Sequence, residues 1–193
     1  MDSAELRFLN NLSVLLECGR PLRTSLQNLR KDEPSEANRQ AYDAMVAALD
    51  KTGDFTSVLS DFPQLCSRTS LALLRAARRT STLTGVLPRL ARLVRAKVEG
   101  EFDPRQRFLE TWALMVETGF SVDEALSELG EEFCSGPLCE VAEGLRGAVR
   151  GGKSLAEGAS RFPEVFSAAS TDLLQYGEAR DLAFALRAIN RLL

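Results

Sequence analysis

The chain has 193 residues, 45% hydrophobic and 26% charged, with a formal net charge of −3 and no histidine. This is material for one compact domain or two small ones with real apolar cores, and the missing histidine removes the commonest general base and metal ligand. The charge is split, +4 over residues 1–100 and −7 over residues 101–193, which argues for two units with unlike surfaces and against a nucleic-acid binder, whose footprint is strongly basic.

The opening MDSAELRFLN carries acids and no apolar block before a small-residue cleavage site, so it reads as a helix start and not as a secretory leader. Phe8, Leu9, Leu12, Leu15 and Leu16 then predict the apolar face of a first helix, which Gly19 ends. Pro21 suits the first turn of a second helix, and PSEAN around Pro34 reads as the following loop. Tyr42, Met45, Val46 and Leu49 mark a third helix up to a turn at Gly53; a short helix through Val58 and Leu59 stops at Phe62-Pro63. A fifth helix carries Leu71 and Leu74, and a sixth carries Leu83, Leu87, Leu90 and Leu93. The apolar period lapses in VEGEFDP, so residues 98–104 are expected to link a first bundle, 1–97, to a second, 105–193.

The second half repeats the first at a shift of one hundred. Arg7, Phe8, Leu9, Glu17, Gly19, Leu26 and Leu29 recur as Arg107, Phe108, Leu109, Glu117, Gly119, Leu126 and Leu129, and DFPQ at Asp61 faces RFPE at Arg161. Trp112 and Met115 join the first stripe of this copy, Ser121 and Glu124 form a capping box, CSGPL near Pro137 is the loop, and Pro163 repeats Pro63. After a slip of one residue, Leu182, Leu186, Ile189 and Leu192 face the first copy's last leucines. The expected fold is therefore all-α, a tandem of two antiparallel bundles of about six helices each. Tyr176, like Trp112, is expected in the core.

Gly147 to Ser154 spells a phosphate-loop pattern, with Gly147, Gly152, Lys153 and Ser154 in its defining places. A working loop needs a strand leading into it, whereas Val141, Ala142, Leu145 and Val149 recur at helical spacing. In the repeat it faces Thr52, Gly53 and Asp54, so it is read as a glycine turn between helices; a nucleotide-binding enzyme is the alternative. Of the four cysteines, none in a CxxC pair, Cys18 and Cys66 read as buried apolar residues and Cys134 and Cys139 as more exposed ones near a loop. No apolar run approaches the roughly 18 residues of a membrane span, and the expectation is a cytoplasmic chain without cofactor or metal.

The order of these motifs resembles the cytoplasmic F domain of the inner-membrane platform proteins of type II secretion systems and type IV pili. Gly19, Pro21 and Leu22 carry the first element, with Gly119, Ser121 and Val122 its looser form. Gly152 to Leu155 are similar to the family's turn, Phe162 and Pro163 to its middle, and Gly177 with Glu178 to its late Gly-Glu; the first copy has Ala77 and Arg78 there, and Arg180 and Asp181 depart from the small residue and glycine that follow in the family. The resemblance implies a noncatalytic helical module that contacts assembly proteins, chiefly the secretion or pilus ATPase, and that self-associates. The family's membrane spans have no counterpart here, so the expected role is a scaffold or regulator, peripheral to the inner membrane through protein partners. A helical adaptor unrelated to secretion is the other alternative.

Two charged surfaces are candidates for partner binding. Arg75, Arg78 and Arg79, with Arg89, Arg92 and Arg95 on the next helix, suit an acidic surface; Asp123, Glu124 and Glu128, beside Glu131 and Glu132, suit a basic one or loosely held calcium. Glu178 joins the candidates through the Gly-Glu resemblance. A solvated helical face is the simpler reading of both runs.

Overall fold

The computed structural model describes residues 3–134 and 136–193; Met1 and Asp2 of the opening segment and Ser135 of CSGPL lie outside the described residues. The chain divides into two compact units, Met1–Glu99 and Gly100–Leu193, and the described residues contain helices and no strand.

The first unit runs α1 (Ala4–Glu17), α2 (Leu22–Asp32), α3 (Glu36–Thr52), a 3₁₀ helix (Phe55–Asp61), α4 (Arg68–Arg79) and α5 (Leu83–Glu99). Ser3 starts α1 by accepting the Leu6 N–H on its hydroxyl at 3.1 Å. Gly19 stops it in the left-handed region, φ 73°, where its own N–H reaches Leu16 O and the Arg20 N–H reaches Leu15 O, so the last carbonyls are satisfied. Pro21 stands just before the first residue of α2 and not within its first turn. Each element packs on the next, and α5 returns onto α1, closing a ring around Leu6, Phe8, Leu9, Leu12, Leu26, Met45, Phe55, Leu59, Leu74, Leu87 and Leu90. Burying each such side chain stabilises the unit by about 1.5–3 kcal/mol, which short helices do not supply by themselves.

Two expectations for α1 need correction. Leu15 and Leu16 are only half-buried, because an open groove between α1 and α2 runs past Val14 and Leu15. Cys18, just past the helix end, is exposed. Cys66 is buried, and desolvation pushes its thiol far above the ordinary range, with the nearby Glu5 carboxylate adding to the effect.

The second unit repeats the ring with α6 (Pro104–Glu117), α7 (Val122–Glu132), α8 (Pro137–Arg150), α9 (Leu155–Ala159), α10 (Ala168–Ala179) and α11 (Leu182–Asn190), the last packed on α6. Gly119 has φ 91° and closes α6 with the same pair of backbone bonds as Gly19, and Ser121 with Glu124 forms the capping box of α7. Pro63 and Pro163 lie in the equivalent turns that lead into α4 and α10. Trp112 is fully buried, edge-on to Phe108 with ring centroids 6.0 Å apart.

Tyr176 is not a core residue: it is 51% exposed, since α10 turns Ser170, Leu174 and Gly177 inward. Its ring instead carries the Arg180 guanidinium at 4.8 Å. Leu192 lies beyond the end of α11 and is also exposed.

α10 approaches α11 at Gly177, where an added Cβ would sit closer than 3.0 Å to Ala185 Cβ and 3.3 Å from Leu182 Cα. Gly177→Ala is therefore expected to destabilise the second unit by about 1–3 kcal/mol even though alanine is the better helix former. Urea unfolding measures this, and an unchanged or raised midpoint would show that the glycine does not set the α10–α11 spacing.

Candidate functional site

The phosphate-loop pattern falls on a helix-to-helix connection. Gly147 lies within α8, Gly152 takes φ 76°, and the Lys153 N–H returns to Ala148 O at 2.9 Å, which closes α8 as Gly19 closes α1. Ser154 then caps the five-residue α9. Its N–H donates to Glu157 Oε2 at 2.9 Å, and the Glu157 N–H returns to Ser154 Oγ at 3.0 Å. The Ser154 backbone N–H first, and then its hydroxyl, hold the Glu157 carboxyl below its ordinary pKa.

The remaining two N–H groups of this turn point at a carboxylate from another helix. Leu155 donates to Glu178 Oε1 at 2.5 Å and Ala156 to Glu178 Oε2 at 3.4 Å. The positive end of the short helix, where a nucleotide phosphate would have to bind, is thus filled by the chain's own side chains. Glu178 serves as a tie between the end of α10 and the start of α9.

The first copy makes the same tie with exchanged chemistry. Asp54, at the place of Ser154, accepts the Thr56 N–H at 2.9 Å, and Gly53 supplies the left-handed turn before it, φ 71°. Arg78, at the place of Glu178, reaches Asp54 Oδ2 at 2.8 Å. A carboxylate on bare N–H groups and a guanidinium on a capping aspartate join the same two segments.

The arginine candidates consequently divide. Arg78 is engaged with the 3₁₀ helix, and Arg95 donates to Asn10 Oδ1 on α1 at 3.3 Å. Arg75, Arg79 and Arg92 are exposed, and Arg89 is half-buried. On α7, Asp123 accepts from Arg150 at 2.6 and 3.0 Å and from Arg146 at 3.0 and 3.4 Å, while Glu124 closes the capping box; Glu128 is half-buried. The acids are held by different partners, and no group of three or more possible metal ligands occurs among the described residues. Of the loop cysteines, Cys134 is exposed and Cys139 is half-buried.

Sequence reasoning missed the buried Glu33. It is 7% exposed and receives Arg7 Nη2 at 3.4 Å and Asn38 Nδ2 at 3.1 Å on one carboxylate oxygen. Gln64 Nε2 extends the group to Asn38 Oδ1 at 3.5 Å. A glutamate in the string KDEPSE looks like surface, and the packing of α1, α3 and the loop before α4 around this turn buries it.

The model of one protein family, described as "Type II secretion system (T2SS), protein F", matches residues 8–103 and again residues 108–193. The chain belongs to the type II secretion system protein F family. No curated protein matches it. Membership of the protein F family ties the chain to secretion or pilus machinery, in a family of non-enzymatic platform proteins that work with other machinery components. Each match spans nearly a whole bundle, so the protein F domain here is the six-helix ring itself. Among the described residues no helix is long and apolar enough to cross a membrane.

Gly147 is an exposed helical residue with nothing within 4 Å of an added Cβ, so Gly147→Ala is expected to leave stability unchanged or raise it by up to about 1 kcal/mol. ATP titrated into either protein in a calorimeter is expected to give no saturable heat, and micromolar binding abolished by Lys153→Ala would restore the nucleotide reading. The Arg150 and Arg146 hydrogen bonds lower the Asp123 pKa from 3.8 to about 2. A carboxyl depressed on folding contributes stability above its unfolded pKa and loses it as pH falls through the folded one. Thermal melts between pH 4 and about 2 should therefore fall less steeply in Asp123→Asn than in the parent; equal slopes would mean the pairs do not hold in solution.

Proposed function

We propose that the chain is a noncatalytic interaction module that docks the assembly ATPase, or another platform component, of a type II secretion or type IV pilus machine. Two complete protein F bundles in one chain carry this reading. The working boundaries are 1–97 and 105–193 with a connector at 98–104, and protein partners hold the module beside the inner membrane. A second copy of the chain is a further partner.

The preferred docking face is the outward pair Arg75 and Arg79 at the end of α4, which suits an acidic partner surface. The acidic α7 is the lesser candidate, because Asp123 and Glu124 are engaged within their own bundle. Their part in capping and pairing accounts for them without a partner.

The test is a detergent-free pull-down of the tagged chain from its own cells, at low and high salt, identified by mass spectrometry. A secretion or pilus ATPase or platform component is expected, weakened by salt and by the double change Arg75→Gln, Arg79→Gln. A reproducible set of partners from other processes would leave the fold intact and remove this role.

A further inference from the structure

The two bundles treat one place in opposite ways. In the first, Arg7 of α1 meets the buried Glu33 carboxylate, and Asn38 and Gln64 complete a polar group between the α2–α3 turn and the loop before α4. In the second, the matching positions are Arg107, Phe133, Leu138 and Glu164. Phe133 and Leu138 are buried, and the place is a cavity of about 600 Å³ with apolar walls from Pro104, Phe133, Leu138 and Val165, and with Asp103, Glu132 and Glu164 also in its lining. That volume lies within the range of pockets that hold a ligand or an anchoring side chain.

The arginine persists although its carboxylate is gone. Arg107 lines the cavity and lays its guanidinium over the Phe133 ring at 4.7 Å, and its buried Nε has no hydrogen-bond partner among the described residues. A buried donor without an acceptor is costly, so it marks a place where an acceptor from outside would be gained. The mouth is built as well: Arg105 pairs with Asp103 at 3.1 Å and donates to Glu164 O at 3.2 Å, fixing the start of α6 to the loop before α10.

We propose that this cavity docks a short segment of a partner protein in which a large apolar side chain stands beside a carboxylate. The apolar side chain fills the space between Phe133, Leu138 and Val165. The carboxylate takes the place against Arg107 that Glu33 takes against Arg7. An apolar anchor with a charged rim is the usual anatomy of a protein contact, and in the first bundle the matching Arg7 donates to a carboxylate. The inference rests on the reading of the chain as an interaction module and assigns that role a second surface.

The probe is a set of fluorescent peptides that pair one large apolar residue with one glutamate at each near spacing, titrated into the full chain by anisotropy. Some members are expected to bind saturably, and to weaken about tenfold or more when glutamine or lysine replaces their glutamate. Arg107→Gln should produce the same loss. The double change F133E with L138N copies the first bundle's side chains and should abolish binding while retaining the arginine; circular dichroism melts check that both variants are folded.

No saturable member, equal binding by the glutamine peptides, or binding unaffected by F133E with L138N would overturn the proposal. Octanoate binding that Arg107→Gln abolishes, with no peptide binding, would overturn it in favour of a small acid. Peptide binding with a failed pull-down would leave the cavity and remove the secretion partner, and the reverse result would do the opposite.

Discussion

Each bundle depends on its last helix returning to its first. Among the described residues no helix exceeds 17 residues and the shortest has five, lengths at which an isolated helix in water is marginal. Stability has to come from apolar faces shared between neighbours, and a row of amphipathic helices leaves its two ends uncovered until α5 meets α1, or α11 meets α6. The glycine turns matter because they set the angles at which the row bends. Gly19 and Gly119 reverse the chain within two residues while still satisfying the terminal carbonyls.

Within that closed ring the copies have kept positions and changed chemistry. A helix end tied to a short helix start is a guanidinium on aspartate in one bundle and a carboxylate on backbone N–H groups in the other. Both arrangements satisfy the orphan donors or the cap that the geometry leaves open, so either can hold the fold. At the α2–α3 turn and its repeat the exchange is less balanced: a satisfied polar group faces an apolar cavity with a stranded donor. The divergence gives one chain two unlike surfaces on one architecture. Fold alone does not choose a partner, so the two copies need not share one.

The glycine-rich segment shows how a short pattern misleads. Gly147, Gly152, Lys153 and Ser154 satisfy the spacing of a phosphate loop, yet that loop needs free N–H groups at a helix start. Here the two glycines do unrelated things, one inside a helix and one in a left-handed turn, and the N–H groups are taken by Glu157 and Glu178. The internal repeat exposed this in the sequence, because the first copy has Asp54 in place of Ser154 and no lysine before it.

The sequence by itself determined the helical class, the repeat, the order of helices and their glycine and capping-box boundaries. Those features follow from local backbone preference and from a 3.6-residue apolar period, which are written along the chain. It also held the family membership, through motifs in fixed order. Only the tertiary structure decided which charged side chains are tied to other elements of their own bundle. Asp123, Arg78, Glu178 and Glu33 sit in strings that resemble ordinary surface, and each has a partner 23 to 27 residues away. Exposure of Tyr176 and Cys18 was likewise decided by where neighbouring helices happen to reach. Periodicity fixes the direction a side chain takes from its own helix, and the ring's closure fixes what it meets there.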